Sequence, residues 1–390
     1  MKFKVDQQKL KECLNVIKGA KSLGRTDFEN SSLIKIKALQ NQKKVIFYSS
    51  NLGVWAVSIL NDVELDESAE AYVEGSDLIA IVAQATEDSK INFVKEDNKI
   101  KITCTTDKKK KTVSSLLTSV PKYYDETPPK EPRNEIKVSA NALHDAVFAV
   151  EFASSQDDRK QHLWGVQVEI YSAEDIVACA SDKVRICWFD NNNPGRDQVK
   201  KVVFNPIKAS FISAIRCLDL NKEVALRIGA RYTVVAQDNQ LHGIPNAVAC
   251  GNGETLPDWR SISAKLNSTC KTTLVISREL ICDFIKSASS LSCGKYGVKI
   301  TANTNDKKLI LSANDIGNTL LKTTYETEDE IVSFDGEVFD GSFTLTIDGF
   351  RDIVNKFKGD NVKIKIIDVH SPIQILDDES NVKFITSVLD

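Results

Sequence analysis

The chain has 390 residues, 42% of them hydrophobic and 27% charged, with a formal net charge of −3; this is too long for one core and excludes a disordered or low-complexity polymer in favour of two or three globular domains. No run of about 18 apolar residues predicts a membrane span, and Met1-Lys2-Phe3-Lys4-Val5 enters a strand pattern rather than an apolar leader. Nine cysteines without a Cys-x-x-Cys pair predict buried thiols in a reducing, cytoplasmic setting.

From Asp6 a helix is predicted with Leu10, Cys13, Leu14 and Ile17 on one face, and Lys9, Lys11, Lys18 and Lys21 off it, followed by Gly24 and Arg25. Strands follow at Ser32 to Lys37, Val45 to Ser49 and Trp55 to Leu60, then a helix with Ser76 or Asp77 as N-cap. Ile91 to Val94 and Ile100 to Cys104 read as strands joined by Asp97-Asn98, and Thr112 to Leu117 follows the run Lys108 to Lys111. Four prolines between Ser119 and Asn134 predict an extended connector and a domain boundary.

The same grammar returns twice. Val5, Val138 and Val275 each close an apolar triplet that leads through a polar capping residue into a helical pattern, and they lie 133 and 137 residues apart. Self-similarity at so long a period means duplicated domains, set at 1–134, 135–267 and 268–390. The second has a helix over Ser139 to Ser155, strands at Leu163 to Ile170, Ile176 to Ala180, Arg185 to Phe189 and Val202 to Phe204, and a helix with Pro206 in its first turn, where the missing N–H has no partner anyway. Strands at Val224 to Ile228 and Tyr232 to Ala236 complete it. The third has a helix over Ser277 to Ser290, a strand at Phe343 to Ile347, and a helix with Phe350, Ile353, Val354 and Phe357 inward and Arg351, Lys356 and Lys358 outward. It closes with strands at Val362 to Ile367, Ile373 to Leu376 and Val382 to Ile385. Val120-Pro121-Lys122-Tyr123 and Leu256-Pro257-Asp258-Trp259 echo each other 136 residues apart, which makes the connector part of the repeat. The fold class is α+β, three similar domains each with two helices on antiparallel sheets.

His144, His162, His242 and His370 are scattered without metal-ligand spacing, no Gly-x-x-x-x-Gly-Lys-Ser/Thr loop is present, and no nucleophile pairs with a base. A non-catalytic chain without cofactor or metal is expected. The near-neutral charge leaves nucleic acid open as a partner, since a basic stripe can lie within an acidic shell.

In order and position, Met-Lys-Phe at the start, Leu163-Trp164-Gly165, Ala180-Ser181-Asp182-Lys183-Val184-Arg185, Leu218-Asp219 and Leu256-Pro257-Asp258-Trp259-Arg260 resemble the bacterial DNA sliding clamp, the beta subunit of the replicative polymerase. The resemblance implies a head-to-tail homodimeric ring around duplex DNA that tethers a polymerase and is opened by a separate loader. Helices facing the hole should carry sequence-blind positive charge, and the candidates are Lys9, Lys11, Lys18, Lys21, Arg25, Gln156, Lys208, Arg216, Arg278, Lys286, Arg351 and Lys356. Polymerase and loader subunits would insert short apolar peptides into a groove mapped to Leu163, Ser181, Lys183, Val184, Arg185, Ile186, Pro257, Ile262, Thr386, Ser387, Val388 and Leu389. Lys183-Val184 stands where many relatives have Gly-His, and Ser387-Val388-Leu389 departs from their usual ending, so the resemblance implies a divergent member. The run Lys108, Lys109, Lys110 and Lys111 would either touch phosphates or lie at the subunit interface, to which Leu291 and Asp315 also map. The alternative is a clamp-fold scaffold that binds proteins without being loaded on DNA.

Overall fold

The computed structural model describes residues 1–18, 33–51, 54–106, 111–119, 134–155, 163, 165–239, 244–251, 256, 258–290, 297–314 and 324–389. The first stretch runs β1 (Lys2–Asp6), α1 (Gln7–Lys18), β2 (Leu33–Leu39), β3 (Lys44–Asn51), β4 (Val54–Leu60), β5 (Glu64–Glu67), β6 (Ala69–Glu74), α2 (Gly75–Gln84), β7 (Lys90–Glu96), β8 (Lys99–Thr106) and β9 (Lys111–Thr118). The middle stretch runs β10 (Asn134–Ser139), α3 (Ala140–Val150), β11 (Gln167–Ile170), β12 (Ile176–Ser181), β13 (Arg185–Phe189), β14 (Val202–Phe204), α4 (Lys208–Arg216), β15 (Glu223–Ile228), β16 (Tyr232–Asn239), β17 (Ile244–Gly251) and α5 (Trp259–Thr269). The last runs β18 (Thr272–Ser277), α6 (Arg278–Ser290), β19 (Val298–Asn303), β20 (Lys308–Asn314), β21 (Thr324–Glu330), β22 (Ser333–Gly336), β23 (Asp340–Leu345), α7 (Ile347–Val354), β24 (Asn361–Ile366), β25 (Ile373–Leu376) and β26 (Val382–Thr386).

Contacts divide the chain into two compact units, and the middle stretch contributes to both. The first unit comprises Met1–His144, Ser172–Glu174 and Phe204–Gly253. Its sheets are β5-β1-β7-β8-β9 and β10-β15-β16-β17-β4-β3-β2-β6, antiparallel throughout. β17 joins β4 in register Asn246↔Ser58 to Cys250↔Val54, so strands nearly two hundred residues apart share one sheet. α1 lies on β3, β4 and β17 and beside α2 and α4, burying Leu10, Cys13, Leu14, Val16 and Ile17. Each such aliphatic side chain contributes about 1.5–3 kcal/mol by leaving water. Gln7, 1% exposed, donates from Nε2 to the carbonyls of Val82 (3.0 Å) and of the C-cap residue Ala85 (3.3 Å), tying the start of α1 to the last turn of α2.

The second unit comprises Asp145–Tyr171, Asp175–Val203 and Glu254–Asp390. Its sheets are β14-β11-β12-β13-β26-β25-β24-β18-β22 and β21-β20-β19-β23. β13 pairs β26 from Arg185↔Thr386 to Phe189↔Val382. Because side chains alternate along a strand, one face of this pair carries Ile186, Trp188 and Ile385, and the opposite face carries Cys187 and Phe384. Cys187 Sγ reaches the Ala149 carbonyl on α3, and Phe384 stacks with Phe152 at 6.1 Å, so the second face meets the helical layer. α6 packs against α7, which buries Ile347, Phe350, Ile353 and Val354.

Several boundaries differ from those read in the sequence. Glu74, not Ser76 or Asp77, caps α2: it ends β6 with extended backbone, and its carboxylate accepts from the backbone N–H (3.4 Å) and hydroxyl (2.8 Å) of Ser76. Pro206 lies outside α4, whose N-cap is Ile207 with φ −61° and ψ 124°. The strand expected from Leu163 begins at Gln167. α7 ends at Val354, leaving Lys356 and Lys358 beyond the helix. The stretch from Leu256, read as a connector, continues into α5.

Candidate nucleic-acid and peptide interfaces

On α1 the residues left outside the apolar stripe form an exposed row of Gln8, Lys11, Asn15 and Lys18, spaced as one face of a helix. Lys9 flanks the row and stands 3.9 Å from Asp6. On the neighbouring α4 Arg216 is exposed and Lys208 half-buried. In the second unit the predicted cations are engaged more closely. Arg278 donates from Nε to the Val354 carbonyl (3.2 Å), and Lys356 donates to the Phe148 carbonyl (2.7 Å). Arg351 pairs with Asp348 (2.8 Å) and Asp352 (3.6 Å). Lys286 is exposed in a row with Glu279 and Asp283. Lys21, Arg25 and Gln156 lie outside the described residues. Among the predicted residues that are described, exposed lysines in a continuous row are therefore found on α1.

The groove residues gather on the second unit. Leu163 belongs to an apolar cluster with Val177, Cys179, Trp188, Leu256, Trp259, Leu266 and Ile385, and half-buried Ile186 packs against it. Trp188 of β13 and Trp259 of α5 meet at 5.1 Å between ring centroids, so α5 covers the face of the sheet opposite the helical layer. Ile262, one turn along α5, is 37% exposed, and Val184 at the tip of the β12–β13 hairpin is 41% exposed. Ser387 donates its N–H to the Val184 carbonyl and Leu389 donates to Thr344, both at 2.9 Å, which lays the end of the chain along that tip. Arg185 is drawn back from the rim: its Nε meets Asp182 at 2.9 Å, its Nη2 donates to the Phe152 carbonyl at 3.2 Å, and its guanidinium lies 5.8 Å from the Phe152 ring. A Cβ on Gly349 would stand 3.3 Å from Arg185 Nη1 and 2.8 Å from Thr346 Oγ1, so only glycine leaves that site clear. Ser181 and Thr386 are buried, Val388 is half-buried, and Pro257 lies outside the described residues.

A buried carboxylate fixes α5. Glu169 on β11 has a side chain only 3% exposed. It accepts two hydrogen bonds from Arg260 (2.8 and 2.7 Å), one each from Tyr171 (2.9 Å) and Lys201 (3.0 Å), and one from Gln167 (3.2 Å). Burial alone would raise the Glu169 pKa; the hydrogen bonds from Arg260 and Lys201 outweigh it and hold the carboxyl at about 2. Burial and the Glu169 partner push Tyr171 up to about 12. Gln167, two residues back on the same face, accepts from the backbone N–H of Leu256 (3.3 Å), and Arg260 stacks on Trp259 at 4.1 Å. β11 thus grips both the approach to α5 and its first turn, the turn that carries Ile262.

Of the residues assigned to a subunit interface, Lys111 opens β9, while Lys108, Lys109, Lys110, Leu291 and Asp315 lie outside the described residues. β9 is an outer strand of the five-stranded sheet and exposes Leu116 to 60%. β21 is an outer strand of the four-stranded sheet and exposes Glu326, Glu328 and Glu330. Among the described residues no helix is long and apolar enough to cross a membrane, and no group of three His, Cys, Asp or Glu could hold a metal.

No family model and no curated protein sequence matches the chain. Solved structures match it end to end. The DNA polymerase III subunit beta of Pseudomonas aeruginosa superimposes with a TM-score of 0.77 at 15% identity, covering 100% of both chains. The beta subunit of Thermotoga maritima gives 0.79 at 16% identity, and the DNA polymerase sliding clamp of Bacillus subtilis 0.76 at 16%, each covering 100% of this chain and 99% of the other. The chain has the DNA sliding-clamp fold. Within that clamp fold, sequence reasoning missed α5, although Asp258 capping Ser261, with Trp259, Ile262 and Leu266 at helical spacing, carries the signal. It also missed the alternating carboxylates of β21.

Proposed function

We propose that this chain is a DNA sliding clamp: a non-catalytic processivity factor that encircles duplex DNA without regard to sequence and tethers a replicative polymerase in the cytoplasm. The observation that carries the reading is the end-to-end agreement with solved beta subunits at TM-scores of 0.75–0.79. The exposed Lys11–Lys18 row supports it, since lysines on a rigid helix attract phosphates but read no bases. In this reading the chain comprises three domains, 1–134, 135–267 and 268–390, and DNA contact is weighted toward α1. Arg278, Arg351 and Lys356 hold structure more than phosphate. The ring closes head to tail, with β9 of one copy beside β21 of the next, and two open strand edges are removed. Glu326 and Glu328 then take the role assigned above to Asp315. Polymerase and loader subunits dock apolar peptides between the Val184 hairpin and α5.

The test is topological. Supplied with a matched loader and ATP, the protein should be retained on nicked circular DNA and released when the circle is cut. Retention that ignores linearisation, or no loading at all, would overturn the reading.

A further inference from the structure

The hairpin between β12 and β13 turns through Asp182, Lys183 and Val184, and Lys183 sits there at φ +80°. Glycine adopts that backbone freely; a residue with a Cβ is strained in it. The strain is locked in by bonds on every side. Asp182 Oδ1 accepts from the N–H groups of Val184 (3.0 Å) and Arg185 (2.9 Å). Ser181 Oγ accepts from Lys183 N–H (3.3 Å) and donates to the Arg185 carbonyl (2.9 Å). The Val184 carbonyl accepts from Ser387. A turn held this firmly fixes the direction of its central Cα–Cβ bond, and the side chain it presents is an exposed lysine. Among the described residues Lys183 is in no ion pair, whereas the neighbouring Arg185 is neutralised by Asp182. Beside it lies the exposed apolar surface of Val184.

We propose that Lys183 selects the peptide taken by the groove: an apolar segment with an aspartate or glutamate next to the side chain that covers Val184. The proposal rests on the groove reading above. A lysine in open water attracts a carboxylate weakly, but a peptide that covers Val184 displaces water from the space between the charges and strengthens the attraction. A cationic peptide residue at the same place is repelled, so the lysine discriminates as well as attracts.

The experiment uses the full chain and three synthetic sets of amidated, N-acetylated nonapeptides rich in leucine and phenylalanine. The sets are identical except for aspartate, asparagine or lysine at one position scanned along the sequence, and binding is read by fluorescence anisotropy. At its best position the aspartate set should bind about three- to tenfold more tightly than the asparagine set, and the lysine set more weakly than either, with the spread narrowing in about 0.5 M salt. Lys183→Glu should reverse the order. Lys183→Gly, which removes the charge and relieves the turn, should bind the three sets alike while folding at least as stably. Equal affinity of the sets for the parent protein, or an unreversed order in Lys183→Glu, would overturn the proposal and leave the groove standing. If no set binds, or if Val184→Glu and Ile262→Glu leave binding unchanged, the groove reading itself fails and takes the proposal with it.

Discussion

Replacing Glu169 with glutamine tests whether the buried carboxylate beneath α5 acts as the geometry requires. A carboxyl held at about 2 instead of its ordinary 4.5 contributes up to about 3.5 kcal/mol to the folded state at neutral pH, at about 1.4 kcal/mol for each pH unit between the two values. The side chain is 3% exposed but its partners Arg260 and Lys201 are 39% and 40% exposed, so screening brings the figure down to about 3 kcal/mol. The magnitude agrees with the roughly 3–5 kcal/mol lost when one partner of a buried ion pair is removed. The folded pKa lies below the unfolded one, so the stabilisation is complete above about pH 5 and drains away as the pH falls through about 2. Urea unfolding from pH 7 down to pH 2.5, followed by near-ultraviolet circular dichroism of the Trp188–Trp259 pair, should therefore show Glu169→Gln about 3 kcal/mol weaker than the parent at pH 7, with a gap that closes in acid. A gap of the same size at every pH would refute the argument, because glutamine would then be removing packing and not charge.

Lys11→Ala with Lys18→Ala should lower the slope of log affinity against log salt for duplex DNA by about 1.8, at about 0.9 per phosphate contact; an unchanged slope removes both lysines from the interface. Glu326→Lys with Glu328→Lys should shift sedimentation toward the single chain, and adding Lys111→Glu should restore part of the association; sedimentation identical to that of the parent would remove β21 from the proposed ring. Burial pushes the Cys13 thiol up to about 12 and raises Cys179 and Cys187 as well, so iodoacetamide at pH 8 should leave all three unmodified until urea is added, as read by peptide mass mapping.

What could be read in the chain beforehand was local. The stripe Leu10, Cys13, Leu14 and Ile17 is buried as its spacing requires, and β13, β14 and β25 have the limits assigned to them, because two- and 3.6-residue periods survive in any well-packed element. α5 was hidden because seven of its eleven residues are Ser, Asn, Thr, Lys or Arg. Its stability comes from distant partners, Glu169, Trp188 and Gln374, that no local window contains. Short, polar β5 and β22 were missed for a related reason, since only their neighbours make them strands. The seams β4–β17 and β13–β26 were equally invisible, as pairing between remote segments leaves no periodic trace. At the groove, the sequence supplied Leu163, Ile186 and Val184 through resemblance, but the retreat of Arg185 toward Asp182 and Phe152 is a matter of three-dimensional contact.

The seam between β13 and β26 restricts how the proposed groove can evolve. Ile186, Trp188 and Ile385 turn one way, and Cys187 and Phe384 the other, so one inserted or deleted residue in either strand would exchange the two sets. The contact with the helical layer and the apolar face beneath α5 would be lost together. Length changes are thereby closed to both strands, and a lineage changing partners must do so by substitution, one side chain at a time, in a frame that cannot shift.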